Sequence, residues 1–164
     1  MKFVTYVENG KKAQRFGFVM DGHVVDVLRA SIFMNEQNHE SEFLEIPSSL
    51  HTCLEEWEPN LVKLQRLQDQ LANEHIADLI ANNQHVAQAE ADVQLLPPIT
   101  NPSTFRDFYA FEQHVRAARK LRGLDMHPDW FRLPIFYFSN PNALYGHGDD
   151  IPYPQNTKEL DLEL

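Results

Sequence analysis

TFRDFYAFEQHVRAARKLR, residues 104–122, sets the reading of this chain. Within about two helical turns it carries an acid, a phenol and an imidazole, namely Asp107, Tyr109 and His114. Phe105, Phe108 and Phe111 are interleaved with them. Such interleaving predicts a partly buried polar group, and buried polar groups must be paired while buried titratable groups shift their pKa. The stretch is expected to begin as a loop and become a helix. Arg116, Arg119, Lys120 and Arg122 suit a helix C-terminus, and Gly123 supplies the stop.

Downstream, residues 159–164 read ELDLEL. Leu160, Leu162 and Leu164 alternate with Glu159, Asp161 and Glu163, the period of a strand. A strand here would turn its carboxylates to one side, where they can converge on a cation. Between the two stretches, 135–138 is expected to be a buried aromatic strand. The runs SNP and GHGDD are expected to be loops.

From about residue 95 onward the chain resembles the fumarylacetoacetate hydrolase family in its bacterial form. The matching blocks, in order, are LLPPITNPSTFRDFYAFEQHV, PDWFRLPIFYFSNPNALYGHGDDIPYP and ELDLEL. The resemblance implies hydrolysis of a carbon–carbon bond in a 1,3-diketo acid such as an acylpyruvate, a role in aromatic compound catabolism. Relatives act as isomerases, decarboxylases and hydratases. It also implies a Mg2+ or Ca2+ cofactor, a homodimer and a β-rich catalytic domain. By the same resemblance Asp107 and Glu163 are metal carboxylates, His114 is the catalytic base, and Tyr109 and Tyr137 contact substrate. Family members are roughly twice as long, as the resemblance implies, so the chain is expected to be an N-terminal portion that ends within the site.

Each of these residues has a plainer reading. His114 also fits a hydrogen-bonded core histidine. Asp107 fits a helix cap, Glu163 an exposed strand residue, and the two tyrosines aromatic packing with paired hydroxyls. Arg119 and Arg122 are candidates for a substrate arginine. His147 in GHGDD is tempting as a ligand, but its flanking glycines suit backbone shape better.

Upstream, residues 2–7 and 15–20 alternate like strands. Asn9-Gly10 and Asp21-Gly22 are favoured turns, and 23–27 follows as a third strand. His23 reads as a surface strand residue. Residues 30–45 suggest a short helix and a mobile loop. Pro47-Ser48-Ser49 opens a helix through Trp57, with either serine as cap. From Pro59 to about Ile80, the Leu61, Leu64, Leu67 and Leu71 stripe predicts one long amphipathic helix. That helix is expected to pack on the hairpins, with a coiled-coil seam or partner contact as the other use of its stripe. Asn82-Asn83-Gln84 should end it, 92–96 should be a strand, and Pro97-Pro98 should mark a domain boundary.

The expected architecture is therefore α+β. A small N-terminal α/β domain with hairpins and a long helix, 1–98, precedes the start of a β-rich domain of the fumarylacetoacetate hydrolase type, 99–164. The net charge of −10 argues against nonspecific nucleic-acid binding, which needs a positive surface. No run approaches the ~20 apolar residues of a membrane span. MKFVTYVENG reads as strand and turn rather than as the apolar core of a signal peptide, and a cytoplasmic location is expected. The lone Cys53 reads as a structural thiol. A noncatalytic binding or assembly module remains the alternative to an enzyme.

Overall fold

The computed structural model describes residues 1–38, 41–81 and 85–160. The chain is α+β and forms two compact units. One unit takes in 1–100 together with 145–164, and the other is 101–144. The boundary expected at Pro98 falls after Thr100, and the chain returns to the first unit at Tyr145.

The first unit is built on an antiparallel sheet of β1 (Lys2–Glu8), β2 (Arg15–Met20), β3 (His23–Asp26), β4 (Ala87–Ala89) and β5 (Val93–Leu96). Their order across the sheet is β4-β3-β2-β1-β5. Asp21 and Gly22 both take positive φ, 49° and 73°, and join β2 to β3 as a two-residue turn with Met20 opposite His23. The other hairpin is looser. Lys11 N–H donates to the Glu8 carbonyl at 2.9 Å across Asn9-Gly10, but the first strand pair is Tyr6 with Arg15, so the loop is longer than a tight turn.

Among the described residues five helices follow in chain order across the two units, and four belong here: α1 (Val27–Asn38), α2 (Leu50–Cys53), α3 (Trp57–Leu71) and α4 (Ile76–Ala81). The expected short helix at 30–45 begins earlier, at Val27, because Asp26 caps it: Arg29 N–H donates to Asp26 Oδ1 at 2.8 Å. A 3-10 turn, Ser41–Glu45, stands in the second half of that stretch, where a loop was expected. Ser49 caps α2, accepting from Thr52 N–H at 3.1 Å. The single long helix expected to Ile80 is interrupted after Leu71. Asn73 Nδ2 donates to the Asp69 carbonyl at 3.2 Å, offering the backbone a side-chain partner that competes with continued helix. The expected helix end at 82–84 lies outside the described residues.

Alternation gives the sheet two apolar faces. Phe16, Phe18 and Val25 meet Ala30, Phe33, Met34, Leu64, Leu67, Leu71 and Leu79 of the helices. Burial of each such side chain contributes about 1.5–3 kcal/mol. The leucine stripe of α3 is thus spent inside the core rather than on a partner. The opposite face holds a smaller cluster of Val4, Tyr6, Val24 and Val93. Cys53 is buried, and burial pushes its thiol up to about 11, which suits an inert structural thiol.

The second face also carries an internal polar network. Tyr6 Oη donates to Asp26 Oδ2 at 2.7 Å, and Arg15 Nε donates to the same oxygen. Arg29 pairs with Glu8, which also accepts from Gln88 Nε2 at 3.1 Å. Asp26 is only 1% exposed, so these donors are what make its burial tolerable.

The GHGDD loop belongs to this unit. Gly146 N–H donates to Asp149 Oδ2 at 2.7 Å, and Gln94 Nε2 of β5 donates to Asp149 Oδ1 at 3.4 Å. A Cβ on Gly146 would lie 2.2 Å from the Leu95 carbonyl oxygen, so this glycine is what lets the loop lie against β5. Gly148 has φ of 83°, as its place in the turn requires. The loop role expected for GHGDD is what the structure displays.

The second unit contains β6 (Phe105–Phe108), α5 (Glu112–Leu121) and β7 (Phe136–Ser139), with a 3-10 turn at Pro128–Phe131. Residues 105–108, expected to be loop, pair with β7 as an antiparallel ribbon. Helix α5 ends as expected. Gly123 has φ of 68°, its N–H donates to the Lys120 carbonyl at 3.0 Å, and Leu124 N–H donates to the Arg119 carbonyl at 2.9 Å.

Candidate active site

The ribbon and the helix after it carry the candidate residues of the second unit. Asp107 on β6 stands directly opposite Tyr137 on β7. Opposed residues share a face, so Asp107, Tyr137 and the Phe105–Ser139 pair lie on one side. Arg106, Phe108, Phe136 and Phe138 lie on the other. There the Arg106 guanidinium sits 5.2 Å and 5.6 Å from the Phe136 and Phe138 ring centroids. The strand period therefore separates a chemical face from an aromatic one.

Beyond Phe108 the chain turns into α5. Tyr109 N–H donates to the Ile135 carbonyl at 3.0 Å, extending the ribbon by one rung. His114 stands in the first turns of α5, and its ring meets the Tyr109 ring edge-on with centroids 6.0 Å apart. Glu112, the nearest carboxylate on the same helix, is taken up by Arg116 one turn later. Arg119 Nε donates to the Asp125 carbonyl at 2.5 Å, and Arg122 Nε donates to the Ala118 carbonyl at 3.2 Å. Both candidate substrate arginines thus help close the end of α5.

The expected partial burial of this group holds for Tyr109 and is overturned for the rest. Asp107, His114 and Tyr137 are exposed, and the expected buried strand at 135–138 has Tyr137 and Phe138 exposed as well. Phe111 is 80% exposed, with Phe105 and Phe108 about half exposed. Val115 is the hydrophobic residue this unit buries. A two-stranded ribbon and one helix have too little volume to enclose their own aromatic side chains.

Asp107 offers the hard carboxylate oxygens that Mg2+ or Ca2+ prefer. Among the described residues, no group of three His, Cys, Asp or Glu side chains converges as a metal site. Glu163, the other candidate ligand, and residues 161–164 of ELDLEL lie outside the described residues; Glu159 and Leu160 are not in a strand. The structure therefore brings Asp107 beside Tyr137, and Tyr109 beside His114. Sequence reasoning passed over Trp130, whose indole N–H donates to the Tyr109 carbonyl at 2.8 Å.

Residues 103–164 match the family described as Fumarylacetoacetate (FAA) hydrolase C-terminal. The similarity to that family is confined to this segment. Both residue pairs fall inside the fumarylacetoacetate hydrolase segment. The match supports a hydrolase- or isomerase-like enzymatic function at the level of the family. No curated protein is significantly similar to the chain. Among the described residues, no helix is long and apolar enough to cross a membrane.

Proposed function

We propose that the fumarylacetoacetate hydrolase segment supplies part of an active site that hydrolyses a carbon–carbon bond of a 1,3-diketo acid, with an acylpyruvate as the model substrate. The observation that carries this reading is the pairing of candidates inside the family match: Asp107 opposite Tyr137, and His114 against Tyr109. Asp107 would hold Mg2+ or Ca2+ together with Glu163. When bound, such an ion supplies positive charge beside the substrate's oxygens. His114, exposed on its helix, takes a proton from water at a ring nitrogen, and the hydroxide adds to the distal carbonyl carbon. The bond between that carbon and the central carbon then breaks. Its electron pair passes to the leaving fragment as an enolate, which is protonated to a 2-oxo acid such as pyruvate. Tyr109 and Tyr137 border the substrate and orient it.

A homodimer and a cytoplasmic location are part of the same proposal. A module that binds partners through its amphipathic helix is disfavoured, because Leu64, Leu67 and Leu71 are buried in the core of the first unit.

The experiment is a Mg2+ titration of turnover with an acylpyruvate. His114→Ala should lower turnover by about a hundredfold or more with metal affinity unchanged. Asp107→Ala should weaken metal binding, with activity partly regained at high Mg2+. Wild-type turnover in His114→Ala returns that residue to a structural role.

A further inference from the structure

Asp107 sits on a strand and His114 on a helix, so their relative placement depends on the turn between them. That turn is held by few bonds. Ala110 N–H donates to the Phe108 carbonyl at 3.0 Å, and Val115 N–H donates to the Phe111 carbonyl at 3.1 Å. The residue at the N-cap of α5 is Phe111, which makes no side-chain capping bond. Where an Asp or Ser would ordinarily fasten a helix entry, α5 has none.

The turn is instead held from another segment. Trp130 Nε1–H donates to the Tyr109 carbonyl at 2.8 Å, from a residue 21 positions later. Trp130 is partly buried, and its own place is set by Trp130 N–H donating to the His127 carbonyl at 3.0 Å and by an edge-on contact with Phe131 at 5.0 Å. Tyr109 is thus tied on both sides of its backbone, by Ile135 at its N–H and Trp130 at its carbonyl, while its ring lies against His114.

We propose that Trp130 is a positioning residue for His114: its indole N–H fixes the Tyr109 backbone, and the Tyr109 ring then sets the orientation of the imidazole. The inference rests on the reading of His114 as the base. Indole suits the task because it is a donor only, so the bond has one polarity and one geometry. Sites tolerate little error of this kind, since a displacement of about 1 Å can cost about a hundredfold in rate.

The test replaces Trp130 by Phe and, separately, by the isosteric amino acid that carries sulfur in place of the indole N–H. The isostere keeps the ring volume, so it reports on the bond even where Trp130→Phe disturbs folding. In the 164-residue chain, proton NMR should show the Tyr109–His114 ring-to-ring cross-peaks weakened in the isostere. With an acylpyruvate as substrate, kcat should fall by about ten- to a hundredfold while KM and Mg2+ affinity stay at their wild-type values. Unchanged cross-peaks, or an unchanged kcat, overturn the positioning role. So does a loss of kcat accompanied by an equal loss of Mg2+ affinity, which signals general damage. His114→Ala measured alongside separates the two ideas: if it keeps wild-type turnover, the base reading fails, and the positioning of His114 for catalysis fails with it. If it loses turnover while the isostere does not, the role of Trp130 alone is overturned.

Discussion

Asp107 and Tyr137 stand directly opposite each other on the β6–β7 ribbon, so a carboxylate and a phenol 30 positions apart share one face. On the proposed reading the two act on the same ligand. Asp107→Ala and Tyr137→Phe should therefore be non-additive in substrate KM, with a coupling of about 0.5–3 kcal/mol in a double-mutant cycle. The cycle is read from KM for an acylpyruvate at fixed Mg2+. Strict additivity would mean that the shared face is not a shared site.

Tyr6 is buried, and burial first, then the Asp26 carboxylate it donates to, raises its pKa above the ordinary phenol value. A raised folded-state pKa contributes stability below the unfolded value and loses it as pH rises. Unfolding monitored by circular dichroism should show stability falling above about pH 10. Tyr6→Phe should flatten that alkaline dependence and cost about 1.5–3 kcal/mol at neutral pH, since it removes a hydrogen bond to a charged group.

Glu8 moves the other way. Burial alone would raise its carboxyl, but the hydrogen bond and the charge of Arg29 outweigh it and hold the pKa below the ordinary value. A depressed folded-state pKa contributes stability above the unfolded value, and that contribution is lost as pH falls through the folded one. Urea midpoints should therefore decline below about pH 4.3, and Glu8→Gln should reduce the slope in that range. An unaltered acid limb in Glu8→Gln would mean that other carboxylates govern it.

At Gly146 the backbone leaves no room for a side chain against Leu95 and Leu96. Gly146→Ala should cost about 1–3 kcal/mol through the shift it forces. Hydrogen exchange should quicken at the Gly146 and Asp149 amides, where the loop is held. The β2–β3 hairpin should be unaffected.

What the sequence determined by itself is local. Asp21-Gly22 fixes a two-residue turn because both positions need positive φ, and few residues tolerate it. Ser49 and Gly123 mark helix ends because each satisfies backbone groups within a few residues. The Leu64, Leu67 and Leu71 stripe announced a buried helix face through its period. The candidate site residues were legible as types in order, and the family match covers the stretch that holds them. Tertiary structure decided the rest. The break after Leu71 turns on which partner the backbone takes, and 105–108 becomes a strand because 136–139 is there to pair with it. No local pattern announces that Asp26 gathers Tyr6, Arg15 and the α1 entry, or that Trp130 reaches Tyr109. The exposure of Phe105, Phe108 and Phe111 likewise follows from how little volume surrounds them, since burial is a property of neighbours in space rather than of order in the chain.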